Sequence, residues 1–309
     1  MKTRALFFEG ARAVTVREIE LPEPGPGEVR VRGLASAISQ GTELLLYLDE
    51  GPAVFDPSLG AASYPSRYGY AWIGEREDTG ARVFGLLPHG DAHVVALDRL
   101  RAMRADVPAT RAALAANLET AITCVWDAEP VLGERAVVLG GGVVGALTAW
   151  LLARSGVDVE LVEPRAGRRA AAAALVRAVA SRSDAADLVV EATGDPAALD
   201  AAIAIAAPEA RVVVASFYGR RRAAIDLGDA FHRRRLRLVA SQVSSIPPRL
   251  RAGWTFDRRF DLVSSLLGDP ALDALVAPPV RFGTEEASAV YAELAAGADD
   301  APPCRVFEY

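Results

Sequence analysis

Between Arg135 and Ser155 the chain reads RAVVL-GGGVVG-ALTAWLLARS, an apolar run, a glycine-rich hexamer and a second apolar run. Four glycines in six residues weaken any continuous helix, since each costs about 1 kcal/mol relative to alanine. A buried strand, a tight turn and a helix satisfy the pattern instead. The hexamer Gly140-Gly141-Gly142-Val143-Val144-Gly145 has GxGxxG spacing. Gly140 is predicted to make the turn, Gly142 to let a pyrophosphate approach the backbone, and Gly145 to let helix and strand pack closely. The free amides at Val143 and Val144, with the positive end of the helix, are predicted to hold the phosphates. A second strand, Val157–Val162, runs into Glu163, 18 residues after Gly145. Glu163 is predicted to accept hydrogen bonds from the adenosine ribose hydroxyls. An acid there repels a 2′-phosphate, so NAD is the expected cofactor. Arg165, Arg168 and Arg169 follow at once and leave NADP as the alternative.

The alternation continues. Strands are predicted at Arg135–Leu139, Val157–Val162, Asp187–Glu191, Arg211–Ser216 and Leu236–Ser241. Helices are predicted at Val143–Ser155, Arg168–Val179 and Pro196–Ala206. Continuous apolar strands separated by helices give an α/β doubly wound parallel sheet covered on both faces. Ligands of such sheets lie outside the carboxyl ends of the strands. Thr193 and Gly194, after the strand Asp187–Glu191, and Ser216, at the end of the strand Arg211–Ser216, are therefore expected to face the cofactor, although turn chemistry alone explains them equally well. Residues 1–117 carry short β-type runs separated by turn clusters such as Pro22-Glu23-Pro24-Gly25-Pro26-Gly27, and form an irregular β-rich domain. Residues 118–245 form the dinucleotide-binding domain. Residues 246–309 hold helical segments around Arg258–Leu267 and Thr284–Ala296; too short for a core of their own, they are expected to return to the first domain.

Composition narrows the class. A net charge of -6 argues against a nucleic-acid-binding surface. Two cysteines, Cys124 and Cys304, exclude a disulfide framework and a cysteine-rich zinc site, and fit a reducing cytosol. The uncharged stretch Ala136–Ala153 is 18 residues long, enough for a membrane span, but its glycines divide it. The apolar run near Met1 is too short for a signal peptide. A cytoplasmic protein with no membrane or nucleic-acid partner is expected.

Further segments carry a resemblance: Ala37-Ile38-Ser39-Gln40-Gly41-Thr42-Glu43, Tyr64-Pro65-Ser66-Arg67-Tyr68-Gly69-Tyr70, Glu119-Thr120-Ala121, and the glycine turn. With the order of domains, they resemble the medium-chain dehydrogenase/reductase superfamily over nearly the whole chain. The resemblance implies a GroES-like β-rich catalytic domain beside a Rossmann domain, and Thr120 near the cofactor. In the zinc enzymes of that superfamily the ligand positions hold Cys and His. Here they read Gln40, Tyr70 with Ala71, and Ala116 or Asn117, none of which replaces a thiolate or imidazole. The lobe for a structural zinc is reduced to a short loop between Gly74-Glu75 and Val83-Phe84-Gly85. Only His89, His93 and His232 remain, so no metal site is expected. Ser216-Phe217-Tyr218-Gly219, Ala230-Phe231 and Arg235-Leu236-Arg237-Leu238 are similar to the zinc-lacking branch, which includes a dehydrogenase oxidising a hydroxyethyl substituent on a chlorin ring.

Hydride transfer without zinc needs a hydroxyl to stabilise or protonate the developing oxyanion. The resemblance puts Tyr70 in that role, with Thr42 at the proton-relay position and Glu43 or Glu119 orienting them. Tyr70 also suits a packed aromatic strand, and Thr42 suits a helix cap before Glu43. His232 reads as a structural or surface histidine. Arg220–Arg222 and Arg233–Arg235 read as a solvated face, or as a lure for an anion. Trp254, Phe256 and Phe260 read as core or a subunit contact. The expected function is zinc-independent interconversion of a secondary alcohol and a ketone with NAD(P), by a homodimer acting on a small molecule. The alternatives are a quinone- or enoyl-type double-bond reductase using NADPH, and a non-catalytic dinucleotide-binding sensor or assembly protein.

Overall fold

The computed structural model describes residues 1–51, 63–181, 185–297 and 300–309. The chain opens with β1 (Lys2–Gly10) and β2 (Ala13–Glu20), an antiparallel pair. Next come β3 (Glu28–Ala37), α1 (Glu43–Tyr47), β4 (Trp72–Arg76), β5 (Arg82–Gly85), β6 (Ala92–Ala96), β7 (Leu100–Ala102) and the single turn α2 (Ala109–Ala112). Along β3 the side chains of Val29 and Val31 point inward, the period of two expected of a half-buried strand. β3, β4, β5 and β7 lie side by side, each neighbour antiparallel, and β6 also pairs with β3.

The second part is α3 (Ala115–Ala128), β8 (Arg135–Leu139), α4 (Val143–Arg154), β9 (Asp158–Val162), α5 (Ala166–Ala173), β10 (Arg177–Val179), β11 (Ala186–Glu191), α6 (Ala198–Ala204), β12 (Ala206–Val214) and β13 (Arg237–Ala240). Its six strands are parallel, in the order β10-β9-β8-β11-β12-β13. That is the doubly wound order, with its reversal between β8 and β11. Ala136, Val137 and Val138 of β8 are buried, as in a strand covered on both faces. The uncharged run Ala136–Ala153 is thus a strand, a turn and a helix. Among the described residues no helix is long and apolar enough to cross a membrane.

The chain then forms α7 (Phe256–Leu266), β14 (Val280–Arg281), α8 (Thr284–Ala296) and β15 (Val306–Glu308). β15 pairs with β3 and β14 with β15, so the last segment completes the sheet of the first part. α7 lays Phe260 against Phe84, ring centroids 5.3 Å apart, within a core that also holds Leu118, Val138 and Leu147.

Two readings from sequence are corrected. The alanine-rich helix expected over Arg168–Val179 stops at Ala173, and Arg177–Val179 becomes the edge strand β10, paired with Glu160–Val162. Alanine favours a helix locally, but pairing with β9 decides the outcome. The strand expected over Arg211–Ser216 begins at Ala206 and ends at Val214, before Ser216. Residue 117, the end of the expected first domain, lies in α3, a continuous helix that packs on both α4 and α7.

Candidate active site

The glycine turn has the geometry of a phosphate cradle. Gly140 has φ +101°, where a side chain would be strained, and a Cβ there would lie 2.7 Å from Ala192 O. A Cβ on Gly145 would lie 2.0 Å from Gly140 O, so only glycine lets α4 start this close to β8. Above Gly142 there is open space, with no heavy atom within 4 Å of a Cβ position. Gly142 is also the N-cap of α4 and has no side chain to cap it, so the amides from Val143 onward face the opening. The donor set and the space fit a pyrophosphate.

Glu163 lies against this turn, buried, with both oxygens engaged. Its Oε2 accepts from Gly141 N and its Oε1 from Arg165 N, each at 2.9 Å. The carboxylate can therefore meet a ribose only through its remaining lone pairs. Gly141 is a requirement missed in the sequence, since a Cβ there would lie 2.8 Å from Glu163 Cβ. Two of the three following arginines turn inward. Arg168 Nη2 donates to Gln40 Oε1 at 2.7 Å, and Arg169 Nη1 donates to Glu163 O and Pro164 O, each at 2.8 Å. Gln40 also donates to Pro303 O at 2.7 Å, so it joins the first part, α5 and the returning segment.

The carboxyl ends of β11 and β12 bring Thr193, Gly194 and Ser216 together. Gly194 N donates to Ser216 Oγ at 2.9 Å. The centre of the cluster is Glu191, fully buried. Its Oε1 accepts from Thr193 N at 2.8 Å and from Thr193 Oγ1, and its Oε2 accepts from Tyr218 OH. Burial and then Glu191 push the Tyr218 phenol well above its ordinary pKa. The Thr193 hydroxyl is held from both sides, because it also accepts from Asp195 N at 2.9 Å. Thr120 is on α3, its hydroxyl donating to Ala116 O at 3.1 Å rather than to the turn.

On the first part, two hydroxyls, those of Ser39 and Thr42, gather around that of Tyr70. The Tyr70 and Ser39 hydroxyls are hydrogen-bonded, and Thr42 N donates to Ser39 Oγ at 3.2 Å. Burial raises the Tyr70 pKa, hydrogen bonds with Ser39 and Thr42 oppose the rise, and the charge of Glu43 adds to it. Thr42 precedes α1 without capping it through its side chain. Glu43 bonds to the Ser39 backbone. Fully buried, it accepts from Ser39 N at 2.9 Å through Oε1, while Oε2 meets His89 Nε2 at 2.9 Å and accepts from Tyr291 OH. His89 Nδ1 continues to Ser36 Oγ at 2.6 Å, and Ser36 to the Tyr309 hydroxyl. Glu43 thus holds the Ser39 backbone amide from one side and the His89 and Tyr291 side chains from the other. Glu119, the other acid expected near Tyr70, is bound to Arg259 Nη2 at 3.0 Å instead.

The two halves of the site meet where α1 ends. Arg220 N donates to Glu50 O at 3.0 Å, and a Cβ on Gly219 would lie 2.4 Å from the same oxygen. Arg220 pairs with Asp49 at 3.2 Å and Arg221 with Glu50 at 3.7 Å, so these arginines fasten loops rather than draw in an anion. Arg233 and Arg235 pair with Asp229 and Glu209, and Arg234 donates to Ala204 O and Ala206 O. His232 is exposed. Trp254 packs on Trp126, and Phe256 lies under Arg259. Among the described residues no group of three or more His, Cys, Asp or Glu is placed to hold a metal.

A family model described as FAD dependent oxidoreductase matches residues 135–282, beginning at the first residue of β8. The chain is 31% identical over 248 residues to the 2-desacetyl-2-hydroxyethyl bacteriochlorophyllide A dehydrogenase of Cereibacter sphaeroides, covering 71% of this chain and 75% of that one. A 39-residue stretch, 13% of this chain and 9% of the relative, is 56% identical to the methylenetetrahydrofolate–tRNA-(uracil-5-)-methyltransferase TrmFO of an Anaeromyxobacter species. Among solved structures, a zinc-binding dehydrogenase from Sinorhizobium meliloti bound to NADP superposes with TM-score 0.78 at 19% identity over the whole of both chains. The 2R,3R-butanediol dehydrogenase of Bacillus subtilis gives 0.78 at 18%, covering 99% of each chain. The acetophenone reductase of Geotrichum candidum in complex with NAD gives 0.76 at 14%, covering 100% of this chain and 97% of that one. These superpositions establish a shared fold.

Proposed function

The chain belongs to the medium-chain dehydrogenase/reductase superfamily, and from that membership we propose that it is an NAD-dependent oxidoreductase interconverting a secondary alcohol and a ketone without zinc. The observation that carries this reading is the Tyr70 hydroxyl, bonded to Ser39 and raised in pKa by burial. A phenol of raised pKa keeps its proton at neutral pH and can donate it to a carbonyl oxygen as charge develops there.

Each residue has a share in this account. The turn Gly140–Gly145 and the amides of Val143 and Val144 would hold the pyrophosphate, and Glu163 would meet the adenosine ribose. When bound, the nicotinamide ring supplies or takes up the hydride. Tyr70 holds the proton at its Oη, Ser39 fixes the direction of that hydroxyl, and Thr42 accepts or returns the proton beside it. Glu43 and His89 hold Ser39 from behind. Gln40, at a zinc-cysteine position of the zinc enzymes, ties Arg168 to Pro303 instead.

A homodimer is part of the same proposal. β13 hydrogen-bonds to β12 on one side only among the described strands, and Leu238 on it is 40% exposed. A free edge of this kind pairs readily with a second copy.

The test is turnover. Purified protein is incubated with NADH and a panel of ketones, including acetyl-substituted aromatic rings and chlorins, and NADH absorbance is followed. The reading expects consumption with at least one ketone and loss of it in Tyr70→Phe. A panel with no turnover under saturating NADH contradicts it.

A further inference from the structure

The start of α5 is where a 2′-phosphate would have to be received, since it follows directly on Glu163. Two of its amides are already taken, and by carboxylates. Arg165 N donates to Glu163 Oε1 at 2.9 Å, and Gly167 N donates to Asp300 Oδ1 at 2.7 Å. Asp300 arrives from the returning segment, 133 residues further along the chain. Its approach is close enough to demand a glycine, because a Cβ on Gly167 would lie 1.7 Å from Asp300 O. Of the three arginines that follow Glu163, Arg168 is committed to Gln40 and Arg169 to the carbonyls of Glu163 and Pro164.

We propose that Asp300 is a cofactor-specificity residue, which excludes the 2′-phosphate of NADP(H) by occupying the Gly167 amide and placing a second negative charge beside Glu163. The proposal rests on the nicotinamide-cofactor reading above. Glu163 alone could be evaded by a phosphate that swung toward the α5 amides, as anions do at helix starts. Asp300 closes that route. A phosphate dianion near two carboxylates meets repulsion that water screens only in part, whereas a 2′-hydroxyl can donate to a free lone pair on Glu163. Selection against NADP(H) is thereby shared between the dinucleotide domain and the segment that returns to the other domain.

The experiment is a titration of the full chain, its Asp300→Asn and its Asp300→Ala variant, with NADH and NADPH separately, read by nicotinamide fluorescence. Asn keeps an oxygen acceptor for Gly167 N and removes only the charge, so it separates electrostatics from folding. The wild-type protein is expected to bind NADH more tightly than NADPH. In both variants the ratio of NADPH to NADH affinity rises, by about tenfold, the equivalent of one pKa unit of differential interaction. An unchanged ratio in both variants, with NADH still binding, overturns the role of Asp300 and leaves the cofactor reading standing. If wild-type protein binds neither nucleotide at millimolar concentration, the cofactor reading fails and takes this proposal with it.

Discussion

Gly141 N donates to Glu163 Oε2 at 2.9 Å, which fastens the end of β9 to the turn that follows β8. The two residues are mutually dependent, because the carboxylate side chain fills the space that a Gly141 Cβ would need. Gly141→Ala is expected to displace Glu163 and weaken NADH binding, by about tenfold for the loss of one charge-assisted hydrogen bond. Gly142→Trp is expected to block the open space outright and abolish binding. Nucleotide titration by fluorescence checks both, and unchanged NADH affinity in Gly142→Trp contradicts the placement of the pyrophosphate.

The buried Glu43–His89 contact makes a stability prediction. Removing His89 takes one of the three hydrogen bonds from Glu43 in an interior with no exposure to water. His89→Ala is expected to cost about 1 to 3 kcal/mol, the usual effect of removing one partner of a buried hydrogen bond. Urea unfolding followed by circular dichroism measures it. A cost below about 1 kcal/mol contradicts the picture of Glu43 held from both sides.

His93 predicts acid sensitivity. Burial, with the nearby Arg67 charge, lowers its pKa from 6.5 to about 3. The unfolded chain therefore binds a proton at this residue more readily than the folded one. The stabilising contribution is whole above pH 6.5 and is lost as pH falls toward 3, by about 1.4 kcal/mol per unit at most. Urea midpoints between pH 7 and 4.5 should fall more steeply in wild-type protein than in His93→Gln. Parallel curves contradict it.

The dimer prediction concerns β13. Wild-type protein is expected to run at twice the mass of one chain in light scattering, and Val239→Pro, which removes an amide from the edge strand, to shift it toward one. A wild-type monomer contradicts the proposed interface.

Parts of this account were legible before any coordinates. The glycine turn, β8, α4 and Glu163 lie within 29 residues of one another, and local spacing is enough to read them. β10 was misread because Arg177–Val179 is a strand only by virtue of its pairing with β9. Ser39 was seen as part of a motif and not as a partner of Tyr70, 31 residues away. Glu191 with Tyr218, His89 with Glu43 and Asp300 with Gly167 join residues 27, 46 and 133 apart, and no local pattern announces such contacts. Residue types in the site could be guessed from resemblance, whereas the carboxylates' partners came only from the fold.

The central claim is that Tyr70 protonates the product alkoxide during hydride transfer. Its most direct test is single-turnover oxidation of bound NADH by a ketone found in the panel, comparing wild-type protein with Tyr70→Phe at matched NADH occupancy. The account predicts a transfer rate lower by about 10²- to 10⁴-fold in the variant, with NADH affinity retained. Equal rates in the two proteins would contradict it.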